Sequence, residues 1–195
     1  MRGVEQIPWF YDGFMSLVEP FGLGRWRQRL VTGAEGRVLE VGSGTGRNLP
    51  LYDAGTRVVG LEPELDSLLA ARRRHPGAML VVGSAEALPF RTETFDTVVS
   101  CLVFCSVPDP LRGLREVGRI LRRNGELRMM EHVRHTGLFR GRVQDWIQPL
   151  WTRIAGGCHP NRDTEATVVE AGFRIDPKGR RAKGTLRRFT ARLVG

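Results

Sequence analysis

The chain predicts an α/β fold: a doubly wound sheet of seven mostly parallel strands, the last one antiparallel, with helices on both faces. Two observations carry this expectation. Short apolar runs alternate with segments of helical period through the middle of the chain, the pattern of a parallel sheet with helical crossovers. The first such run, Val38-Leu39-Glu40-Val41-Gly42-Ser43-Gly44-Thr45-Gly46, ends in three alternating glycines. That spacing gives a turn tight enough for a ligand to press against bare backbone.

Residues 1–30, with Trp9, Phe10, Phe14, Leu17, Val18, Phe21 and Trp26, read as amphipathic helices before the sheet, a lid or packing segment. Strands are expected over 37–41, 57–61, 78–82, 95–101 and 125–131, with helices over 64–74 and 110–122. The second helix lines up Leu111, Leu114, Val117, Ile120 and Leu121, starts at Pro110 and is stopped by Asn124-Gly125. Further helices are expected over 143–154 and 163–171, within an insertion at 133–171. Two closing strands follow, near 173–176 and 189–194, in the C-terminal part 172–195. At 195 residues and 41% hydrophobic content, the chain suits one filled domain, 1–195, with its core at 37–132.

No apolar run approaches the roughly 20 residues of a membrane span, and the N-terminus lacks the charged-then-apolar order of a signal peptide. A soluble, cytoplasmic protein is expected. Cys101, Cys105 and Cys158 form no C-x-x-C pair, so reduced thiols and no metal site are expected. The net charge of +9 suits a polyanionic partner, RNA or an anionic membrane. The competing reading is an arginine bias of GC-rich coding, because Lys178 and Lys183 are the only lysines and the arginines are dispersed. The densest group, Lys178–Lys183 continuing to Arg187-Arg188, reads as a solvated hairpin loop. No aromatic-plus-basic stacking motif is evident, so no nucleic-acid partner is expected.

The glycine turn departs from the dinucleotide fingerprint, because Arg47 stands where the third glycine of G-x-G-x-x-G belongs. Glu40, expected to face the same pocket, repels a pyrophosphate and suits an amino group or a sulfonium. Ligands of such sheets bind at the carboxyl ends of the strands. There Glu62 is placed to accept from two ribose hydroxyls, the segment from Ser84 to Phe90 offers polar groups to an adenine edge, and Cys101 to Phe104 offers small and apolar surface.

With these residues in place, the chain resembles the class I S-adenosylmethionine-dependent methyltransferases, of the methyltransferase type 11 domain. The resemblance covers residues 37–132 through VLEVGSGTG, GLEPE, GSAEALPF, FDTVVSCLVFCSVPD and REVGRILRRNGELRMMEH, in order. It implies a Rossmann-like fold and S-adenosyl-L-methionine as cofactor, leaving S-adenosyl-L-homocysteine. It also implies that Glu40, Gly42, Ser43 and Gly44, with Asn48, hold the methionine end, Glu62 and Pro63 the ribose, and Ser84, Ala85 and Glu86 the adenine, with Cys101 beside the cofactor. Many relatives carry Asp where this chain has Ser84, and the position of Cys105 is often histidine in ubiquinone-type enzymes. The phrases CLVFCSV, MEHV and GGCHPNR look like the methyltransferase-like 7 group, associated with alkyl-thiol methylation, whose eukaryotic members carry an N-terminal membrane anchor; no such anchor is expected here.

A methyl sulfonium needs chiefly an in-line nucleophile, so proximity supplies much of the acceleration. A thiol acceptor reacts as its thiolate; an amine or hydroxyl makes a general base more valuable. Glu131 and His132 are the candidate catalytic residues, with backbone positioning as the alternative for Glu131 and a structural role for His132. Tyr11, Cys105, Trp146, Cys158, His159 and Arg162 are the candidate substrate contacts, against core packing for Trp146, buried thiols for Cys105 and a helix-capping turn for 158–162. The expected function is methyl transfer to a small-molecule acceptor, a thiol or other soft nucleophile. The alternatives are lipid or quinone methylation at a membrane surface, with peripheral contact through the N-terminal helices, and a basic RNA-binding module with an idle cofactor pocket.

Overall fold

The computed structural model describes residues 12, 13, 15–17, 22–135, 137–154 and 157–194. Strands β1 (Arg37–Val41), β2 (Arg57–Glu62), β3 (Met79–Val82), β4 (Phe95–Cys101), β5 (Leu121–His132), β6 (Phe173–Ile175), β7 (Arg181–Lys183) and β8 (Leu186–Leu193) form an eight-stranded sheet. Its order is β3-β2-β1-β4-β5-β8-β6, with β7 paired to β8. The first five strands pair in parallel, and β8 runs antiparallel to β5, β6 and β7. Sheet growth reverses between β1 and β4, and a crevice opens at the carboxyl ends of strands flanking such a switch point.

The helices are α1 (Leu23–Val31), α2 (Leu65–Arg74), α3 (Pro110–Ile120), α4 (Leu138–Ile154) and α5 (Thr164–Glu170). Because successive strand residues point to opposite faces, both faces of the sheet are apolar and each takes a helical cover. Leu39, Val41, Val98 and Leu127 pack with Leu114, Val117 and Ile120 of α3 and Val168 of α5; Val38, Val99 and Met130 pack with Leu30 and Val31 of α1. Burying one such side chain contributes ~1.5–3 kcal/mol. Asp109 caps α3 by accepting from the Arg112 amide at 3.0 Å, ahead of Pro110. Asp163 caps α5 through the Ala166 amide at 3.1 Å.

The structure alters several expectations. The helix expected to reach Arg122 stops at Ile120, because Leu121 is drawn into the sheet opposite Phe95 and buried there. Helix α4 begins at Leu138 rather than Val143. The basic C-terminal run is no plain solvated loop: it contains β7, which raises the strand number from seven to eight, and the start of β8. Arg187 is buried and donates to the carbonyls of Gly184 at 2.7 Å and Leu186 at 3.1 Å, while the Arg188 guanidinium lies 5.7 Å over the Trp26 ring. Trp9, Phe10, Tyr11, Phe14, Val18 and Phe21 lie outside the described residues. Among the described residues no helix is long and apolar enough to cross a membrane.

Because Arg187 satisfies two carbonyls from a buried position, Arg187→Ala should cost about 1–3 kcal/mol in urea unfolding. Lys183→Ala, at an exposed position, should stay within about 0.5 kcal/mol of the parent. Equal losses would return the whole run to a solvated loop.

Candidate functional site

A cavity of about 590 Å³ lies at the carboxyl ends of β1, β2 and β4, a size typical of small-molecule sites. Its floor is the glycine turn, where Gly42, Gly44 and Gly46 take φ of 66°, 54° and 80°, the left-handed region that favours glycine. A Cβ on Gly42 would stand 2.4 Å from Val103 Cγ2, whereas one on Gly44 meets nothing within 4 Å, so bare backbone faces open space there. The Gly44 amide donates to Glu62 Oε2 at 2.9 Å and the Glu64 amide to Glu62 Oε1 at 3.2 Å. Burial raises the Glu62 pKa, and both oxygens keep lone pairs for further donors. Ser84 Oγ donates to Glu86 Oε2 at 3.0 Å and accepts from the Glu86 amide at 3.2 Å. Pro63, Ala85 and Cys101 also line the cavity.

The charge of this lining opposes that of the chain. Glu62, Glu64 and Glu86 line the cavity with no lysine or arginine among the described lining residues, in a chain of net charge +9. A cleft focuses the field of its own charges. This one repels phosphates and favours a cation, and the open backbone at Gly44 together with a two-oxygen acceptor at Glu62 fits an adenosyl sulfonium.

The wall after β4 is strained and clamped. Leu102 lines the cavity at φ 61°, a conformation costing a non-glycine residue about 1–3 kcal/mol. Its amide donates to the Met130 carbonyl at 2.7 Å. Glu131 Oε1 accepts from Ser100 Oγ at 3.0 Å and from the amides of Val103 at 3.0 Å and Phe104 at 3.1 Å. Arg162 Nη1 donates to the carbonyls of Phe104 at 2.8 Å and Val107 at 2.5 Å, and the His159 amide to Cys105 at 2.8 Å. The segments 100–107 and 157–162 are thereby tied together, with Cys105 and Cys158 buried against each other between them. The Cys158 thiol and burial push the Cys105 pKa well up.

Several expected residues do not reach the cavity. Glu131 is fully buried, its pKa raised by burial, and its carboxylate holds loop backbone rather than open space; the geometry is that of positioning, not of a base at the cavity. His132 follows on the opposite strand face, with Nδ1 3.3 Å from Thr185 Oγ1 and its pKa lowered by burial. Glu40 shares the α1 side of β1 with Val38 and turns away: Asn48 Nδ2 donates to its Oε1 at 2.8 Å and Tyr52 Oη to its Oε2 at 3.0 Å. Arg27 donates to Asn48 Oδ1 at 2.9 Å, and burial pushes the Glu40 carboxyl up to about 7. Asn48 and Ser43 are likewise buried off the cavity lining. Cys105, Cys158 and Arg162 build its wall from behind, and Trp146 is 84% exposed, away from it.

His159 does line the cavity. Its Nδ1 lies 2.6 Å from the Gly157 carbonyl, which only accepts, so Nδ1 carries a proton and the neutral ring presents Nε2 as its acceptor. Asp12, unmarked in the sequence, accepts from Thr45 Oγ1 at 2.7 Å and Arg47 Nη1 at 3.2 Å and pairs with Arg74, pinning the glycine turn. Against the cost of burial, the bonds from Arg74, Thr45 and Arg47 hold its pKa low. No local pattern announces a partner 33 residues upstream.

The family described as methyltransferase domain matches residues 39–129. The thiol S-methyltransferase TMT1B of Homo sapiens is 36% identical over 153 residues, 73% of this chain and 63% of that protein. A demethylmenaquinone methyltransferase of Thermotoga maritima is 30% identical over 167 residues, covering 80% of this chain and 72% of that protein. Among solved structures, a possible histamine N-methyltransferase from Thermotoga maritima superposes with a TM-score of 0.75 over 97% of both chains at 23% identity, a likeness of fold. The chain spans less than two thirds of the human protein's length.

A Glu40 carboxyl near 7 when folded, against 4.5 when free, favours folding while protonated. Its contribution is fully present below pH ~4.5 and lost as pH rises through ~7. Urea unfolding of the parent should therefore lose up to about 3 kcal/mol relative to Glu40→Gln between pH 5 and pH 8. Parallel pH profiles would mean that Glu40 is ionised throughout.

Proposed function

The chain belongs to the S-adenosylmethionine-dependent methyltransferase family, and on that premise we propose that it methylates a small-molecule acceptor, a thiol or other soft nucleophile. The observation that carries the reading is the glutamate-lined cavity on the glycine turn of a basic chain, with no arginine among its described lining residues. When bound, the cofactor supplies an electrophilic methyl group on a cationic sulfur. Glu62 would accept from the ribose hydroxyls, the Ser84 to Glu86 segment would border the adenine, and the backbone of Gly42 and Gly44 would admit the methionine end.

On the acceptor side, Leu102, Val103, Val107 and Pro108 give an apolar wall beside His159 and Ser106. His159, with Nε2 as acceptor, takes the place assigned to His132 by sequence and receives the proton of an incoming thiol. Glu131 keeps the wall in place. A thiol has a free pKa near 8.5 and already reacts in part as thiolate at neutral pH, so it needs less from a base than an amine or phenol. The likeness to a thiol S-methyltransferase supports this choice. The likeness to a demethylmenaquinone methyltransferase supports an apolar ring acceptor as the second reading.

Calorimetric titration with S-adenosylmethionine should show binding that Glu62→Ala weakens roughly 10- to 100-fold, the loss of hydrogen bonds to a charged acceptor. A labelled-methyl assay across thiols, amines, phenols and quinols should turn over thiols best; turnover of a quinol alone would overturn the thiol choice. His159→Ala should slow thiol methylation roughly tenfold or more near pH 7 and much less above the free thiol pKa. A pH-independent loss would mean that His159 does not move the proton.

A further inference from the structure

Helix α4 is amphipathic in the inverted sense. Gln144, Asp145, Gln148 and Thr152 share one side by the 3.6-residue period, and that side meets the protein. Gln144 accepts from the His135 amide at 2.6 Å and donates to the Pro160 carbonyl at 3.3 Å. Asp145 accepts from Arg134 at 2.8 Å and Asn161 at 3.1 Å, and Thr152 Oγ1 donates to the Cys158 carbonyl at 3.1 Å. The opposite side carries Phe139, Val143, Trp146 and Ile147, exposed by 81, 39, 84 and 42%. A surface helix ordinarily buries its apolar stripe, and a contiguous exposed one marks an interaction surface.

The charge around this stripe selects the occupant. Between residues 134 and 153 the sequence has four arginines against the single acid Asp145, which Arg134 already pairs at 2.8 Å. The helical period sets Arg142, which is exposed, at the border of the stripe. An apolar stripe with a tryptophan and a phenylalanine, in a segment of net positive charge, matches a partner that is apolar inside and anionic at its surface. We propose that the outer side of α4 seats on an anionic lipid bilayer. The inner side of α4 bonds to the segment that carries Cys158 and His159, so the seated helix ties this wall of the cavity to the membrane, where an apolar acceptor dissolves. Only this delivery step rests on the methyl-transfer reading.

The test is co-sedimentation of the full chain with phosphatidylcholine vesicles with and without phosphatidylglycerol, at low and high salt. Binding should be roughly tenfold or more tighter to the anionic vesicles and should weaken with salt. The double variant Phe139→Ser/Trp146→Ser should lose roughly tenfold or more of that binding, and Arg142→Glu should lose the preference for anionic lipid. Thermal unfolding and S-adenosylmethionine titration should match the parent for both, because these side chains lie off the cavity. The proposal is overturned if the parent does not sediment with anionic vesicles or if the double variant sediments equally. It also fails if the parent self-associates in analytical ultracentrifugation and the double variant does not, which would make a second copy the occupant. Vesicle binding needs no methyl donor, so its failure leaves the transfer reading intact.

Discussion

One carboxylate oxygen organises the wall on which the cavity depends. Glu131 Oε1 gathers the Ser100 hydroxyl and the amides of Val103 and Phe104 at 3.0–3.1 Å. Leu102, one residue before those amides, is held at φ 61°. That conformation costs about 1–3 kcal/mol, and the bonds that Glu131 Oε1 accepts from residues on either side of Leu102 hold the loop in it. Arg162 fastens the same loop from the other side through the Phe104 and Val107 carbonyls. The shape of this wall is therefore set by groups that do not themselves line the cavity.

A glutamate near the carboxyl end of each of β1, β2 and β5 serves a different local need. Glu62 ties the glycine turn and still opens to the cavity, Glu131 ties the loop after β4, and Glu40 joins Asn48 and Tyr52 on the α1 side. Glu40, in register with Gly60, lies on the same sheet face as Glu62, and Glu131 lies on the other, so the difference between Glu40 and Glu62 follows from what stands opposite each of them. Only Glu62 combines a cavity position with spare acceptor capacity, and with Glu64 and Glu86 it makes the lining anionic within a basic chain.

The parts of the fold legible in the sequence are those set by local pattern. The glycine turn, the five parallel strands and the start of α3 at Pro110 need only neighbours in sequence, and they lie where periodicity and turn chemistry put them. Side-chain direction was less legible. Glu40 shares its strand side with Val38 rather than with Val41, a parity that the alternation of β1 already contains, but its partners Asn48 and Tyr52 come from a turn whose path the sequence does not show. Glu131 finds its amides 27 and 28 residues back. For α4 the sequence reading turned Trp146 inward, to the core or the substrate, whereas polar contacts to residues 134–135 and 158–161 turn the opposite side of the helix inward.

An anionic cavity should admit an adenosyl cation and reject an adenosyl pyrophosphate. Side-by-side calorimetric titration of the full chain with S-adenosylmethionine and with NAD measures it directly. Saturable binding of S-adenosylmethionine and none of the dinucleotide is expected under the same conditions. Binding of NAD as tight as, or tighter than, that of S-adenosylmethionine would contradict it.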